Sequence, residues 1–256
     1  RAKTMNQPAK NPAEILAKYK PTKGTSVITH DEYLKQTAAI SSQVIQQAKS
    51  DVAQSQQIII EKAVQRAGIP ERFICKAFDS YQATATDSMR AKKICQRYAD
   101  NFTDVLKKGV CMVLTGQAGT GKTHLAISIL SQVINNGNTG LFITVSEMLR
   151  AIRGTYSPAS KKTEQQVFDD FILADLLVLD EVGVSIGDDE KRKAIIFDVI
   201  NGRYNRMKPT IILGNLTPDE MEQYLGFRVW DRIKESEAPV ISFDWGSYRR
   251  KQVQPS

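Results

Sequence analysis

An eight-residue stretch of this chain combines the residue types and the spacing that bind phosphate. It runs from Gly116 to Thr123 and fits the pattern G-x-x-x-x-G-K-[ST]. Glycines let the main chain curl until its N–H groups point at phosphate oxygens. In such a loop Lys122 would neutralise charge on the β- and γ-phosphates, and the Thr123 hydroxyl would bind Mg²⁺. The residues predicted to bind the nucleotide are Gly116, Gln117, Ala118, Gly119, Thr120, Gly121, Lys122, Thr123 and, in the next helix, His124.

The residues on either side of this phosphate loop fit the same interpretation. The apolar run Val110–Leu114 precedes it, and a helical pattern of apolar residues follows it as far as Gly137. A phosphate held by the loop would lie at the N-terminus of that helix, where the helix dipole favours negative charge. Strand, loop and helix therefore occur in the order that phosphate binding requires, which disfavours a fortuitous Gly-rich turn.

Two more candidate site segments stand at the ends of apolar runs. Asp180 and Glu181 follow Leu176–Leu179, and Asn215 follows a later run. In an open parallel sheet the ligand lies beyond the carboxyl ends of the strands. We therefore expect Asp180 to lie beside Thr123 and hold Mg²⁺, and Glu181 to be the general base that activates water. We expect Asn215 to reach the γ-phosphate or that water. The alternatives are an ordinary acidic strand end and an asparagine that starts a turn.

The chain is predicted to consist of an N-terminal arm, residues 1–67, and a main domain, residues 68–256. A helical pattern with a thin apolar stripe extends from Asp31 to Ala67, and Gly68-Ile69-Pro70 ends it. The stripe is too small to form a core of its own. We therefore expect this helix to pack against a partner protein or a neighbouring element.

The main domain alternates helical patterns with short apolar runs. Near-continuous apolar strands that alternate with helices predict an α/β fold, in which a parallel sheet is covered by helices on both faces. The strand candidates are Val110–Thr115, Leu141–Val145, Leu176–Leu179, Thr210–Leu213 and Val240–Phe243.

Composition excludes several classes of protein. The chain has no apolar run of eighteen or more residues, so we expect no membrane span, and its beginning lacks the layout of a signal peptide. The three cysteines lie far apart, and only two histidines accompany them, which supports neither a disulfide framework nor a zinc site. These features favour a reducing, cytoplasmic setting.

The net charge of +7 is concentrated in the first part of the chain. Residues 1–70 contain ten Lys and Arg but only five Asp and Glu. Such a segment is suited to contact with nucleic acid or with an acidic protein surface, and it is equally compatible with a solvated helical arm. Both interpretations stay open at this point.

Several ordered motifs extend over residues 68–250. They are Gly68–Phe73, the phosphate loop continued to Ala126, Asp175–Gly183, Leu225–Arg232 and Phe243–Arg249. With these motifs the chain resembles the AAA+ ATPases of the DnaC/IstB group, and most of all the DnaC-type bacterial replicative helicase loaders. Over the first 67 residues the resemblance rests on layout. It implies an AAA+ P-loop ATPase with a five-stranded parallel sheet between helices, preceded by a small helical arm that binds the helicase.

The resemblance also implies roles for Asn215 and three arginines. Asn215 matches the sensor-one position, and Arg249 matches the sensor-two arginine. Arg228 and Arg232 lie in the segment from which one subunit completes its neighbour's site, and Arg232 looks like the arginine finger. A guanidinium in that place would stabilise charge on the γ-phosphoryl oxygens. Otherwise each arginine would be a surface or ion-pair residue. The implied cofactors are ATP and Mg²⁺.

In the loaders that this chain resembles, the segment after the second strand lies along single-stranded DNA. The matching segment here, residues 146–158, contains Arg150, Arg153 and Tyr156. Arginines that contact phosphates and an aromatic ring that stacks on a base can bind single-stranded DNA without dependence on the DNA sequence. The alternative is a helix that buries its apolar residues and leaves its charges in solvent. The two interpretations are compatible, because the apolar and basic residues would occupy different faces.

The resemblance implies a loader whose ATP-bound subunits assemble in a spiral on a hexameric replicative helicase of the DnaB type. They would open its ring, engage single-stranded DNA and leave after hydrolysis. An IstB-like transposition helper acting on double-stranded DNA is the alternative. A DnaA-like initiator would need a C-terminal helix-turn-helix DNA-binding domain beyond Arg249. A protein that uses ATP only as a switch is disfavoured by the candidate base Glu181. A metabolic P-loop kinase would need a site for the molecule that accepts the phosphate, and no segment resembles one. Whether the helicase is a host or a phage protein stays open.

Overall fold

The computed structural model describes residues 29–184 and 189–248. Its contacts divide the chain into two compact units, with the division between Ser55 and Gln56. The first long helix, α1, extends over His30–Arg66 and contains this division. The helix predicted from Asp31 to Ala67 is therefore present, with bounds that differ by one residue at each end.

Helix α1 exposes its apolar side chains within the first unit. Ile40, Val44 and Val52 are 60%, 62% and 57% exposed, and Leu34 and Ile45 are exposed as well. Ile40, Val44 and Val52 belong to the thin apolar stripe that the sequence predicted to be too small to form a core of its own. Because exposed aliphatic surface is costly in water, a helix of this kind gains stability from an apolar partner.

The end of α1 belongs to the second unit and packs on its core. Ala67, directly after the helix, is fully buried, and Ala63 and Val64 pack against the same core. The carbonyl of Ala67 accepts a hydrogen bond of 2.7 Å from the Phe142 N–H. The last turns of the helix are therefore fixed to the body that carries the phosphate loop.

The second unit alternates helices and strands in the order that the sequence predicted. After a short 3-10 helix at Glu71–Phe73 the elements are α2 (Thr86–Asp100), α3 (Phe102–Lys108), β1 (Met112–Gly116), α4 (Lys122–Asn135), β2 (Gly140–Thr144), α5 (Val145–Gly154), α6 (Glu164–Leu173), β3 (Leu176–Val182), α7 (Asp189–Tyr204), β4 (Thr210–Gly214), α8 (Pro218–Leu225), α9 (Phe227–Glu235) and β5 (Val240–Phe243).

The strands form one five-stranded sheet in the order β2-β3-β4-β1-β5. Every neighbouring pair is parallel. The predicted α/β fold with a parallel sheet is confirmed, and each of the five strand candidates corresponds to a strand. The largest difference in bounds concerns β3, which continues through the acidic pair to Val182 instead of ending at Leu179.

A separate apolar core covers each face of this sheet. Met112 and Leu114 of β1 face the core built with α2, α3 and α4, whereas Val113 between them faces the core built with α5 to α9. Alternation along a strand sends successive side chains to opposite faces. A strand buried on both faces must therefore be apolar throughout, which is the pattern that the sequence showed.

A buried arginine joins the end of α6 to the loop before β4. Arg203 is 1% exposed, and burial, the largest cause, lowers the pKa of its guanidinium to about 10. The carbonyls at the end of a helix lack partners within the helix, and this side chain supplies them. It donates to four carbonyls and one hydroxyl, those of Phe171, Ile172, Ala174, Pro209 and Thr210.

Within residues 29–184 and 189–248, no helix combines the length and the apolar character that crossing a membrane requires.

Candidate nucleotide site

A cleft of about 710 Å³ opens at the carboxyl ends of β1, β3 and β4. The phosphate loop from Ala118 onward, the acidic pair and Asn215 all line it. The order of the strands explains this convergence, because β1, β3 and β4 are neighbours whose carboxyl ends share one edge of the sheet. Polar groups far apart in sequence are therefore brought to one place.

The phosphate loop has the main-chain conformation that only glycine adopts easily. Gly116, Gly119 and Gly121 all have positive φ angles, of 113°, 82° and 98°. A Cβ on Gly116 would lie 2.5 Å from the Phe243 carbonyl oxygen, so this position has no room for a side chain. Among the hydrogen bonds of the described residues, none uses the N–H groups of Gly119, Thr120 or Gly121. These donors are available to an anion in the cleft.

Lys122 begins α4 and is folded back on the loop. It is 7% exposed, and its Nζ donates to the carbonyls of Gly116 and Gln117, each at 2.7 Å. An ammonium group with little access to water, at a helix N-terminus, gives this end of the cleft a positive potential. The cleft therefore attracts a polyanion such as a nucleotide phosphate chain.

Thr123 and Asp180 are neighbours in the cleft, and their side chains are in direct contact. The Thr123 hydroxyl donates to Asp180 Oδ2 at 3.0 Å. Burial, the largest cause, raises the pKa of Asp180, although hydrogen bonds from the Glu181 N–H and from Thr123 partly offset it. Two adjacent oxygens are the kind of protein ligand set that Mg²⁺ uses when phosphates supply further ligands. The side chains present therefore fit this cation.

A distortion of β3 turns two successive carboxylates toward the same cleft. Neighbouring residues of a regular strand point to opposite faces, yet Asp180 and Glu181 both line the cleft. The register between β3 and β4 shifts between Leu179 and Val182, and Glu181 has a left-handed φ of 59°. Such bulges re-aim side chains beside functional sites, and a left-handed glutamate is uncommon. The carboxylate of Glu181 is exposed to the cleft.

Asn215 stands directly after β4, the strand that is paired with the end of β3. It is exposed and lines the same cleft as Lys122 and Glu181. Its amide is therefore placed where it can contact whatever the cleft holds. Its role as a sensor of the γ-phosphate stays a prediction.

The candidate arginines of α9 lie away from this cleft. Arg228 is exposed, and Arg232 lines a second cleft, of about 360 Å³, beside Cys111 and Thr210. Cys111 precedes β1 and Thr210 begins β4, so this second cleft lies at the amino ends of the strands, the edge opposite to the phosphate loop. Arg249 lies outside the described residues.

Arg232 is held in place by aromatic rings. Its guanidinium stacks on Phe197 at 5.0 Å and Tyr204 at 5.5 Å, and its Nη1 donates to the Arg228 carbonyl at 3.1 Å. The buried Nε makes no hydrogen bond to any residue in the described ranges. The side chain is thus positioned by packing, without an ion pair that would neutralise it in those ranges.

Helix α5 separates its apolar and basic residues onto two faces. Met148, Leu149 and Ile152 are buried against the sheet, whereas Arg150 and Arg153 are exposed. Tyr156, just beyond the helix, is 65% exposed, and its hydroxyl donates to Glu164 Oε1 at 3.1 Å. The structure therefore separates this candidate DNA-contacting group from the nucleotide cleft. Its role stays a prediction.

Sequence reasoning missed the aromatic side chains around the phosphate loop. Tyr81 and Trp245 line the cleft, and the ring of Tyr81 meets His124 edge-on at 5.3 Å. His124 Nε2 lies 3.0 Å from the Ala77 carbonyl and 3.2 Å from Ser80 Oγ, and burial, the largest cause, lowers its pKa. His124 thus fastens an irregular segment to α4, a contact for which the sequence offers no periodic signal.

Comparisons with known proteins identify the family of this chain. A family profile described as "IstB-like ATP binding protein" matches residues 34–256. The replicative helicase loader DnaC of Buchnera aphidicola subsp. Acyrthosiphon pisum (strain APS) is 30% identical over 203 residues, which cover 79% of this chain and 81% of that protein.

Solved structures share the fold at lower identity. The crystal structure of the DnaC helicase loader superposes with a TM-score of 0.60 at 22% identity, covering 68% of this chain and 99% of that one. The AMPPCP-bound DnaA from Aquifex aeolicus superposes with a TM-score of 0.56 at 19% identity, covering 72% of this chain and 54% of that one. The chain therefore belongs to the family of IstB-like ATP-binding proteins, within the DnaC/IstB group of AAA+ ATPases.

Proposed function

We propose that this protein is an ATP-dependent loader that places the replicative DNA helicase on single-stranded DNA. The observation that carries the proposal is a cleft in which Lys122, the acidic pair and Asn215 come together, in the same chain as α1, whose apolar side chains are exposed. A relative that is named as a replicative helicase loader matches four fifths of the chain and supports this function. Residues 1–67 would be the helicase-binding arm and residues 68–256 the ATPase domain.

In this proposal the cleft binds and hydrolyses ATP. Lys122 exchanges its carbonyl partners for the β- and γ-phosphates, which charge-assisted hydrogen bonds favour. Thr123 and Asp180 hold Mg²⁺, which when bound neutralises phosphate charge. Glu181 accepts a proton from the attacking water, and Asn215 orients that water or the γ-phosphate.

The remaining catalytic group would come from a second copy of the chain. Arg232 lies at the sheet edge opposite to the phosphate loop, about 15 Å or more away at the rise of a five-residue strand. A side chain so placed is suited to a neighbour's site, as in a head-to-tail spiral of subunits. Arg228 lies one turn earlier on the same helix, and Arg249 is assigned to the same subunit's nucleotide as the sensor-two arginine.

The proposal is tested by mixing the protein with the hexameric helicase of its source and weighing the products by mass photometry, with and without ATP. We expect a complex with several copies per hexamer. Replacing Ile40, Val44 and Val52 by glutamine should abolish it without unfolding the protein, because these side chains are exposed. The matched control replaces the exposed polar residues Gln43 and Gln46 of the same helix by alanine and should keep the complex.

A failure to form any complex under all nucleotide conditions would contradict the loader function. The IstB-like description of the family profile would then favour the transposition helper. Stimulation of ATP hydrolysis by double-stranded DNA, and not by single-stranded DNA, would support that second function. Stimulation by single-stranded DNA would instead support the loader.

Single-stranded DNA is predicted to bind the exposed basic face of α5. Replacing both Arg150 and Arg153 by alanine should weaken the binding of an oligothymidine. Each lost phosphate contact removes about 0.7 from the slope of log K against log salt, so the double variant should lower that slope by about 1.4. Fluorescence anisotropy over a salt series measures both quantities.

The control for this prediction removes equal charge from the opposite face of the sheet. Arg90 and Lys93 are exposed on α2, and α2 packs on the other core from α5. Their double alanine variant should leave the salt slope unchanged. Equal losses in the two double variants would show that only net charge matters and would contradict a specific role for α5.

A further inference from the structure

Three hydrogen bonds from other segments of the chain hold the phosphate loop. The Thr120 carbonyl accepts from Tyr81 Oη at 3.3 Å and from Trp245 Nε1 at 3.1 Å. The adjacent Gly119 carbonyl accepts from the main-chain N–H of Tyr248 at 2.9 Å. All three donors come from outside the loop, one from the segment before α2 and two from the segment after β5. Two successive peptide groups of the loop are therefore anchored through their carbonyl oxygens.

Anchoring a carbonyl also fixes the direction of the N–H group in the same peptide plane. A trans peptide is planar, and its C=O and N–H bonds point in opposite directions. The plane that carries the Thr120 carbonyl also carries the Gly121 N–H, and the plane of the Gly119 carbonyl carries the Thr120 N–H. With both carbonyls held by donors from outside the loop, these N–H groups are directed away from those donors. They are two of the donors that no described residue uses.

The Tyr81 ring also determines the shape of the loop by contact. A Cβ on Gly121 would lie 2.6 Å from Tyr81 Cε2, so the ring packs directly on the glycine. Tyr81 is 7% exposed, and burial, the largest cause, raises the pKa of its hydroxyl to about 12. The hydroxyl therefore stays protonated and remains a donor throughout the physiological pH range.

The segment after β5 lies along the same side of the loop. The Gln117 N–H donates to the Phe243 carbonyl at 3.2 Å, and the rings of Phe243 and Trp245 pack with their centres 4.6 Å apart. Phe243 is fully buried, so the Trp245 indole is attached to a rigid part of the core. Its N–H is held at a fixed place beside the loop, which a mobile side chain would not achieve.

We propose that Tyr81 and Trp245 are positioning residues of the phosphate loop, which fix the direction of the Thr120 carbonyl so that the Gly121 N–H in the same peptide plane is aimed at phosphate before nucleotide binds. This inference rests on the proposed nucleotide-binding function. A loop ordered in advance does not have to be ordered on binding, so its donors contribute more of their energy to affinity. Removing the anchors should therefore weaken binding through the phosphates, whatever base is attached.

The test measures affinity for two probes, the fluorescent nucleotide MANT-ADP and inorganic pyrophosphate as its competitor, both with Mg²⁺. Tyr81→Phe and Trp245→Phe each remove a donor and keep a ring. We expect each to weaken both probes about five-fold and the double variant to weaken them more than twenty-fold, as expected for the loss of neutral hydrogen bonds. The matched control is Tyr98→Phe, which deletes a hydroxyl bonded to the Val110 carbonyl at 2.6 Å, away from the loop.

The outcomes separate this inference from the proposed function. If the wild-type protein binds neither probe, nucleotide binding is refuted and the inference with it. If wild-type and both phenylalanine variants bind pyrophosphate within two-fold of each other, the inference alone is overturned. In that case, weaker binding of MANT-ADP alone would indicate that the two rings contact the nucleoside part of the nucleotide. An equal loss in Tyr98→Phe would attribute the effect to general destabilisation and would also overturn the inference.

Discussion

Replacing Glu181 by glutamine should abolish ATP hydrolysis while leaving ATP binding nearly unchanged. The substitution keeps the shape of the side chain and removes its ability to accept a proton. General-base catalysis contributes roughly a factor of 10² to 10⁴, so we expect the rate to fall at least about 100-fold. Lys122 and Thr123, which would bind the phosphates and Mg²⁺, lie elsewhere on the cleft and stay intact. Steady-state phosphate release measures the rate, and MANT-ATP titration measures the binding.

Glu237 provides a matched control for Glu181. It is also an exposed glutamate with a left-handed main chain, with φ of 56° against 59°, but it lies after α9 and outside the nucleotide cleft. Glu237→Gln should therefore hydrolyse ATP at the wild-type rate. A Glu181→Gln variant that kept more than about a tenth of the activity would contradict the assignment, because the loss of a general base is larger than that.

Most of the fold was predictable because a parallel sheet leaves a strong signal in the sequence. Its strands are buried on both faces, so they appear in the sequence as continuous apolar runs such as Ile211–Leu213. The turn after β1 was predictable for a related reason, since only glycines tolerate the positive φ angles at Gly116 and Gly121. Both signals are local, and local signals survive in a single sequence.

The features that orient the side chains and the phosphate loop of the site were not predictable, because they depend on contacts between distant parts of the chain. The bulge that turns Asp180 and Glu181 to one cleft is a register shift between β3 and β4, which neither strand shows by itself. Trp245 reaches the Thr120 carbonyl across 125 positions of sequence. The sequence showed two acidic residues at the end of a strand, but only the fold explains how both carboxylates can face the same cleft.

The burial of the charged side chain of Arg203 was also not predictable from the sequence. Arg203 resembles an ordinary basic residue near the end of a helix, and such residues usually face solvent. Its burial follows from three unpaired carbonyls at the end of α6 and from the loop before β4, which together form a pocket of acceptors. A set of acceptors from separate elements has no signature along the chain.

Replacing Arg232 by alanine should abolish ATP hydrolysis in the assembled protein and leave ATP binding by each subunit intact. The guanidinium cannot serve its own subunit's phosphates, because it lines the cleft at the opposite edge of the sheet. An arginine supplied in trans is worth about 10³ to 10⁵ in rate, so the expected loss is among the largest for any single substitution in this chain. Lys234→Ala is the control, since Lys234 is an exposed cation on the same helix, paired with Glu222 at 3.7 Å.

Mixing two inactive variants provides a direct test of action in trans. Arg232→Ala keeps an intact nucleotide site, and Glu181→Gln keeps an intact Arg232. In an equimolar mixture, half of the subunits have a working site and half of those adjoin an intact Arg232, so activity should return to about a quarter of the wild-type rate. Two variants that act within one subunit would stay inactive when mixed. A mixture without activity, from subunits shown by mass photometry to assemble together, would therefore place Arg232 outside the neighbour's site.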